Sequence, residues 1–136
     1  MAQVMRPALV MTNNASAQPL ILVADDDREA RELLAEMLEG EGYSVAQAEN
    51  GQRALELIQI RPPRLILLDL NMPVMDGREF LGWLAQQMHI KLDVIVISGQ
   101  TTGVVLGAKA ILPKPVDLPR LLCLITNLLM ANELAI

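Results

Sequence analysis

Short apolar runs that stop at acids constrain this chain more than any other feature. LILVA (20–24) meets Asp25, Asp26 and Asp27, LILL (65–68) meets Asp69, and DVIVISG (93–99) closes on Ser98 and Gly99. Runs of this length, rich in branched side chains, suit strands buried on both faces. Helical periods lie between them. Arg28–Glu39 puts Ala30, Leu33, Leu34, Met37 and Leu38 on one stripe, ended by Gly40 and Gly42. SVAQAE (44–49) alternates as a strand does, and Asn50 or Gly51 opens a second helix to about Ile60, broken by Pro62-Pro63. Gly77–Met88 predicts a third helix with Phe80, Leu81, Leu84 and Met88 on one face. Lys109–Leu112 reads as an edge strand ended by PKP, and Asp117 caps a last helix running to about Ala131. Five strands alternating with helices predict an α/β fold, a parallel sheet covered on both faces.

A chain of 136 residues holds one domain, expected over 19–134 behind a flexible tail, 1–18, that lacks any period. Eleven Lys and Arg against 16 Asp and Glu give a net charge of −5, which argues against binding a nucleic-acid backbone. A single Cys rules out an internal disulfide framework. The apolar stretch Leu121–Asn132 is too short for a membrane span and is interrupted by Thr126 and Asn127. The tail, with one positive charge and broken hydrophobicity, is a poor secretory signal. The expectation is a cytoplasmic domain with no membrane and no nucleic-acid partner.

The acids fall where such folds place their sites, outside the carboxyl ends of strands. Asp25, Asp26, Asp27 and Asp69 are therefore expected to converge. Acids after a strand are often only caps, which suits Asp27 at the start of the first helix. For the others, crowded carboxylates repel, and a hard divalent cation such as Mg²⁺ relieves that. Two further strand ends deliver the Ser98 hydroxyl and Lys114, which is one of three lysines and is flanked by Pro113 and Pro115. Acids for a cation, a central Asp, a hydroxyl and an ammonium make a phosphoryl-transfer set, with Asp69 as nucleophile forming an acyl phosphate.

These segments resemble the receiver domain of bacterial two-component response regulators. The resemblance rests on ILVADDDREARELLAEMLEGEGYSVAQAENGQRALELI, LILLDLNMPVMDG, VIVISG and KAILPKP, in that order, over about residues 19–131. It implies a flavodoxin-like sheet of strand order 2-1-3-4-5. It implies that Asp69 takes a phosphoryl group from a phosphohistidine on a sensor histidine kinase or phosphotransfer protein. Asp25 or Asp26 would bind Mg²⁺ with Asp69 and the backbone carbonyl of Asn71. Asp26 is taken as the main ligand, Asp25 as its water-mediated partner and Asp27 as a capping bystander. Ser98 would be the switch hydroxyl and Lys114 the phosphate-binding lysine, with a cis Lys114–Pro115 bond.

Three departures from the family pattern stand out. Lys114 follows Ser98 by 16 positions, several fewer than usual, a deficit of about one and a half helical turns. The fourth helix is therefore expected to be shortened or missing, and QTTGVVLG is too glycine-rich for a normal one. Ile111 stands where the family typically has Tyr or Phe, so the usual relay to the output face is altered. The last helix carries Leu118, Leu121, Leu122, Ile125, Leu128 and Leu129 as a core stripe, with Cys123, Leu124, Met130 and Ala131 partly off it. Its second apolar face predicts a homodimer through 100–112 and the last helix.

Lesser candidates have plainer roles. Trp83 reads as a flanking core residue, His89 as solvated or capping, Cys123 as an inert buried thiol and Tyr43 as part of a structural GY turn. The leading function is a stand-alone, non-enzymatic receiver acting on a downstream protein. The alternatives are a receiver-fold scaffold with altered or lost switching, and an aspartyl-phosphate transferase or phosphatase. Asn71, two positions after the nucleophile where that class needs a second acid, counts against the enzyme. Flavin binding is remoter, because no phosphate-cradling loop follows the first strand.

Overall fold

The structure is a computed structural model that describes residues 19–100 and 103–134. The segment 1–18, expected as a tail, lies outside the described residues. The elements run β1 (Leu20–Ala24), α1 (Arg28–Gly40), β2 (Ser44–Ala48), α2 (Gly51–Ile60), β3 (Leu65–Asp69), α3 (Gly77–Ala85), β4 (Asp93–Ser98), β5 (Ala110–Pro113) and α4 (Leu118–Leu134). All pairings are parallel and the spatial order is β2-β1-β3-β4-β5, the flavodoxin-like order expected.

Alternation along the central strands builds two cores. Ile21, Val23, Leu65, Leu67, Ile95 and Ile97 face α1 and α4, where Leu38, Leu121, Ile125 and Leu129 meet them. Leu22, Ala24, Ile66, Leu68, Val94 and Val96 face α2 and α3, against Ala54, Ile58, Phe80 and Leu81. Because both faces of β1, β3 and β4 are covered, their sequences are continuously apolar.

Caps fall where side-chain chemistry places them. Asp27 Oδ1 accepts from the N–H of Glu29 and Ala30, Asn50 Oδ1 from Arg53, and Asp117 Oδ1 from Arg120. Asp76 and Glu79 form a reciprocal capping box on α3.

Four sequence expectations are corrected. Helix α3 ends at Ala85, not Met88, and Met88 is exposed. The chain has to turn back to start β4, and Ile90 and Leu92 take the core contacts instead. On α1 the buried line is Ala35 and Leu38 with Leu34 half-buried, while Leu33 and Met37 are exposed. The helix is rotated so that its small residue, Ala35, approaches the sheet. Strand β5 covers Ala110–Pro113, one residue later than expected. Cys123 is exposed rather than buried, because α4 turns Leu121, Ile125 and Leu129 inward and Cys123 lies off that line.

Between β4 and β5 the described residues 103–109 contain no helix. Val105 is buried in the core and Ala108 packs at its margin, while Val104 and Leu106 are each 85% exposed. A cavity of about 600 Å³ opens between the strip and α3, lined by Arg78, Leu81, Leu84 and Val104–Gly107. On α4, Leu122, Leu124 and Leu128 pack at the core margin, leaving Cys123 and Met130 facing outward. Trp83 is half-buried with its ring 5.9 Å from that of Phe80, as a flanking core residue should be, and His89 is exposed.

Candidate functional site

The carboxyl ends of β1, β3 and β5 bring three predicted residues into direct contact. Lys114 Nζ donates to Asp25 Oδ2 at 3.1 Å and to Asp69 Oδ2 at 3.2 Å. Asp25 and Asp69 are buried, while the lysine side chain keeps 31% of its surface in solvent. The second oxygens are held by the turns that follow each strand. Asp25 Oδ1 accepts from the N–H of Asp27 at 2.9 Å, and Asp69 Oδ1 accepts from the N–H of Asn71 at 3.1 Å.

Asp26 behaves differently from its neighbour. It is exposed and has no hydrogen bond or ion pair among the described residues. One oxygen each from Asp25, Asp26 and Asp69 nonetheless lie within 4.8 Å of one another. Three hard oxygens gathered beside a single ammonium leave an excess of negative charge, which fits a divalent cation. Asp27 points its carboxylate at the helix end instead and stands outside the cluster.

Burial raises the pKa of Asp69 and the nearby Asp25 adds to that, while the Asn71 N–H and Lys114 pull the other way without cancelling it. For Lys114, burial pulls the pKa down, but Asp25 and Asp69 outweigh it and hold the ammonium above the ordinary lysine value.

Ser98 sits at the end of β4, buried, but its hydroxyl is engaged in its own turn. Oγ donates to the Gln100 carbonyl and accepts from the Gln100 N–H, both at 3.2 Å. Its link to the lysine is through the backbone, where the Lys114 N–H donates to the Ser98 carbonyl at 2.9 Å. The Lys114–Pro115 peptide is cis. Ile111 is half-buried, opposite Val96 and against the α2/α3 core.

Two supports of the site carry weak sequence signals. Gly77 opens α3 so close to β3 that a Cβ there would fall 2.6 Å from the Asp69 carbonyl oxygen and 2.7 Å from Leu70 Cα. Arg31, one turn into α1, donates from Nη1 to the Asp25 carbonyl at 2.9 Å. A glycine at a helix start was the only hint of the first, and nothing in the periodicity marks the second.

Comparison with known proteins agrees with this arrangement. The family model for the response regulator receiver domain matches residues 21–126. The response regulator MprA of Mycolicibacterium vanbaalenii is 39% identical over 115 residues, covering 80% of this chain and 49% of MprA. The chain thus spans about half the length of the curated relatives it matches. Among solved structures, the receiver domain of Francisella response regulator 1452 superposes with a TM-score of 0.78 at 29% identity, covering 85% of this chain and 99% of that one. Response regulator TrrA of Thermotoga maritima, solved with Mg²⁺ and BeF, gives a TM-score of 0.74 at 29% identity, covering 82% and 99%. On this evidence the chain belongs to the response regulator receiver domain family.

Proposed function

We propose that the chain is a phosphorylatable receiver of a two-component or phosphorelay system. Asp69 takes a phosphoryl group from a phosphohistidine of a sensor histidine kinase or a phosphotransfer protein. The observation that carries this reading is the Asp69 carboxylate, buried at the end of the central strand with an ammonium 3.2 Å from one oxygen. In the reaction an Asp69 oxygen forms a bond to phosphorus as the N–P bond of the phosphohistidine breaks. The imidazole nitrogen keeps the electron pair and takes up a proton. Lys114 neutralises charge on the transferred group, and the Ser98 hydroxyl exchanges Gln100 for a phosphoryl oxygen.

Asp25, Asp26 and Asp69, with the backbone carbonyl of Asn71, would hold Mg²⁺. The freedom of Asp26 supports it as the direct ligand, and Asp25, held on both oxygens, supports the water-mediated role. When bound, the cation supplies further charge neutralisation at the transferring group.

The domain works as a switch rather than as a stand-alone enzyme, in the cytoplasm, through protein contacts and without touching nucleic acid itself. Exposed Val104 and Leu106 beside an apolar cavity support a homodimer through 100–112 and α4. No helix among the described residues is long and apolar enough to cross a membrane. A second reading, a receiver-fold scaffold with altered switching, is favoured by Ile111 and by the helix-free strip 103–109.

Intact mass after incubation with acetyl phosphate tests the first reading. It expects a Mg²⁺-dependent gain of one phosphoryl group that Asp69→Asn abolishes. No gain, where an ordinary receiver is labelled, favours the scaffold.

A further inference from the structure

Asp25 is anchored at every polar group it has. Its N–H donates to the Ala48 carbonyl at 3.0 Å, Oδ1 takes the Asp27 N–H and Oδ2 takes Lys114. The remaining group, its carbonyl oxygen, accepts from Arg31 Nη1 at 2.9 Å. Arg31 is itself held from the side, since Nε donates to Gln47 Oε1 on β2 at 3.1 Å. The half-buried guanidinium thus uses two edges of its planar fork, one on the neighbouring strand and one on the acid turn.

The carbonyl of Asp25 belongs to the peptide that joins it to Asp26. Fixing that oxygen fixes the peptide plane, and with it the direction in which the Asp26 Cα leaves the strand. Asp26 has no other restraint on its side chain. We infer that Arg31, steadied by Gln47, is a positioning residue for the divalent-cation site: it orients the Asp25–Asp26 peptide so that the Asp26 carboxylate converges on Asp69. This rests on the proposal that Asp25, Asp26 and Asp69 hold Mg²⁺.

Charge alone would give Arg31 the opposite effect. A cation near three carboxylates repels Mg²⁺, so deleting a bystander Arg31 should tighten metal binding. Deleting a positioning Arg31 should weaken it, by about tenfold as for other groups that orient metal ligands.

Mg²⁺ titration of the full chain by isothermal calorimetry separates the two. Arg31→Ala is expected to raise Kd about tenfold, and Gln47→Ala to raise it less and in the same direction. Arg31→Lys keeps the charge but lacks the fork, so it is expected to fall between wild type and Arg31→Ala. It also supplies the comparison should the alanine variant fail to fold, which circular dichroism reports. An Arg31→Ala or Arg31→Lys protein that binds Mg²⁺ as tightly as wild type, or more tightly, overturns the inference and leaves the metal site standing. A wild-type protein that binds no Mg²⁺, or binds it undiminished after Asp69→Asn and Asp26→Asn, overturns the metal site and the inference together.

Discussion

Lys114 Nζ lies 3.2 Å from Asp69 Oδ2, across 45 positions of sequence. The same nitrogen meets Asp25, so one ammonium separates two buried carboxylates. Lys114→Met leaves those acids facing each other without compensation. The loss is expected to be about 1–2 kcal/mol in urea unfolding, reduced from the fully buried case because the lysine is partly exposed. Metal binding should move the other way. With its competitor gone, Mg²⁺ binds more tightly while phosphorylation by acetyl phosphate slows, and calorimetry beside intact mass shows whether the two part company.

Gly77 and Gly82 should respond in opposite senses to the same substitution. A Cβ at 77 collides with backbone of β3, whereas one at 82 meets nothing within 4 Å. Gly77→Ala is expected to cost about 1–3 kcal/mol and to slow phosphorylation by displacing the end of β3. Gly82→Ala, on the exposed side of α3, is expected to stabilise by about 0.5–1 kcal/mol. Thermal unfolding of the two variants against wild type checks both signs.

Val74 occupies the loop between Asp69 and α3 at φ 69°, a conformation that a β-branched side chain rarely adopts. Its side chain is 80% exposed, so little packing offsets the strain. Val74→Asn, which tolerates the left-handed region, should raise stability by about 1 kcal/mol, measured as a shift in the urea midpoint at unchanged slope.

Val104 and Leu106 each leave most of their surface in water beside the cavity against α3. If they meet a second copy, light scattering should give a dimer mass that dissociates on dilution. A Val104→Ser, Leu106→Glu double variant should be monomeric, and should unfold as the wild type does once the latter is diluted to monomer. A wild-type mass equal to one chain at all concentrations would remove the homodimer.

Much of the site was legible because strand ends are legible. Apolar runs stopping at Asp25 and Asp69, and a lysine between two prolines, are enough to put the carboxylates and the ammonium at one sheet edge, where they meet. What sequence could not resolve was which of two adjacent acids is buried. Asp25 extends the buried run of β1 and Asp26 does not, a distinction set by where the burial ends rather than by residue type. Leu33 and Met37 misled for a related reason: periodicity marks an apolar stripe without saying how the helix is rotated about it. Arg31 and Val74 left no trace, since one acts on a backbone carbonyl and the other only through its dihedral angle.

The position that receives the phosphoryl group decides how this site works. Protein treated with acetyl phosphate and Mg²⁺, reduced with borohydride and digested, should carry the homoserine that marks an acyl phosphate at position 69. That mark should be absent when the metal is chelated and in Asp69→Asn. Its appearance at another acid, or a yield at Asp69 that is indifferent to Mg²⁺, would contradict the assignment of this site.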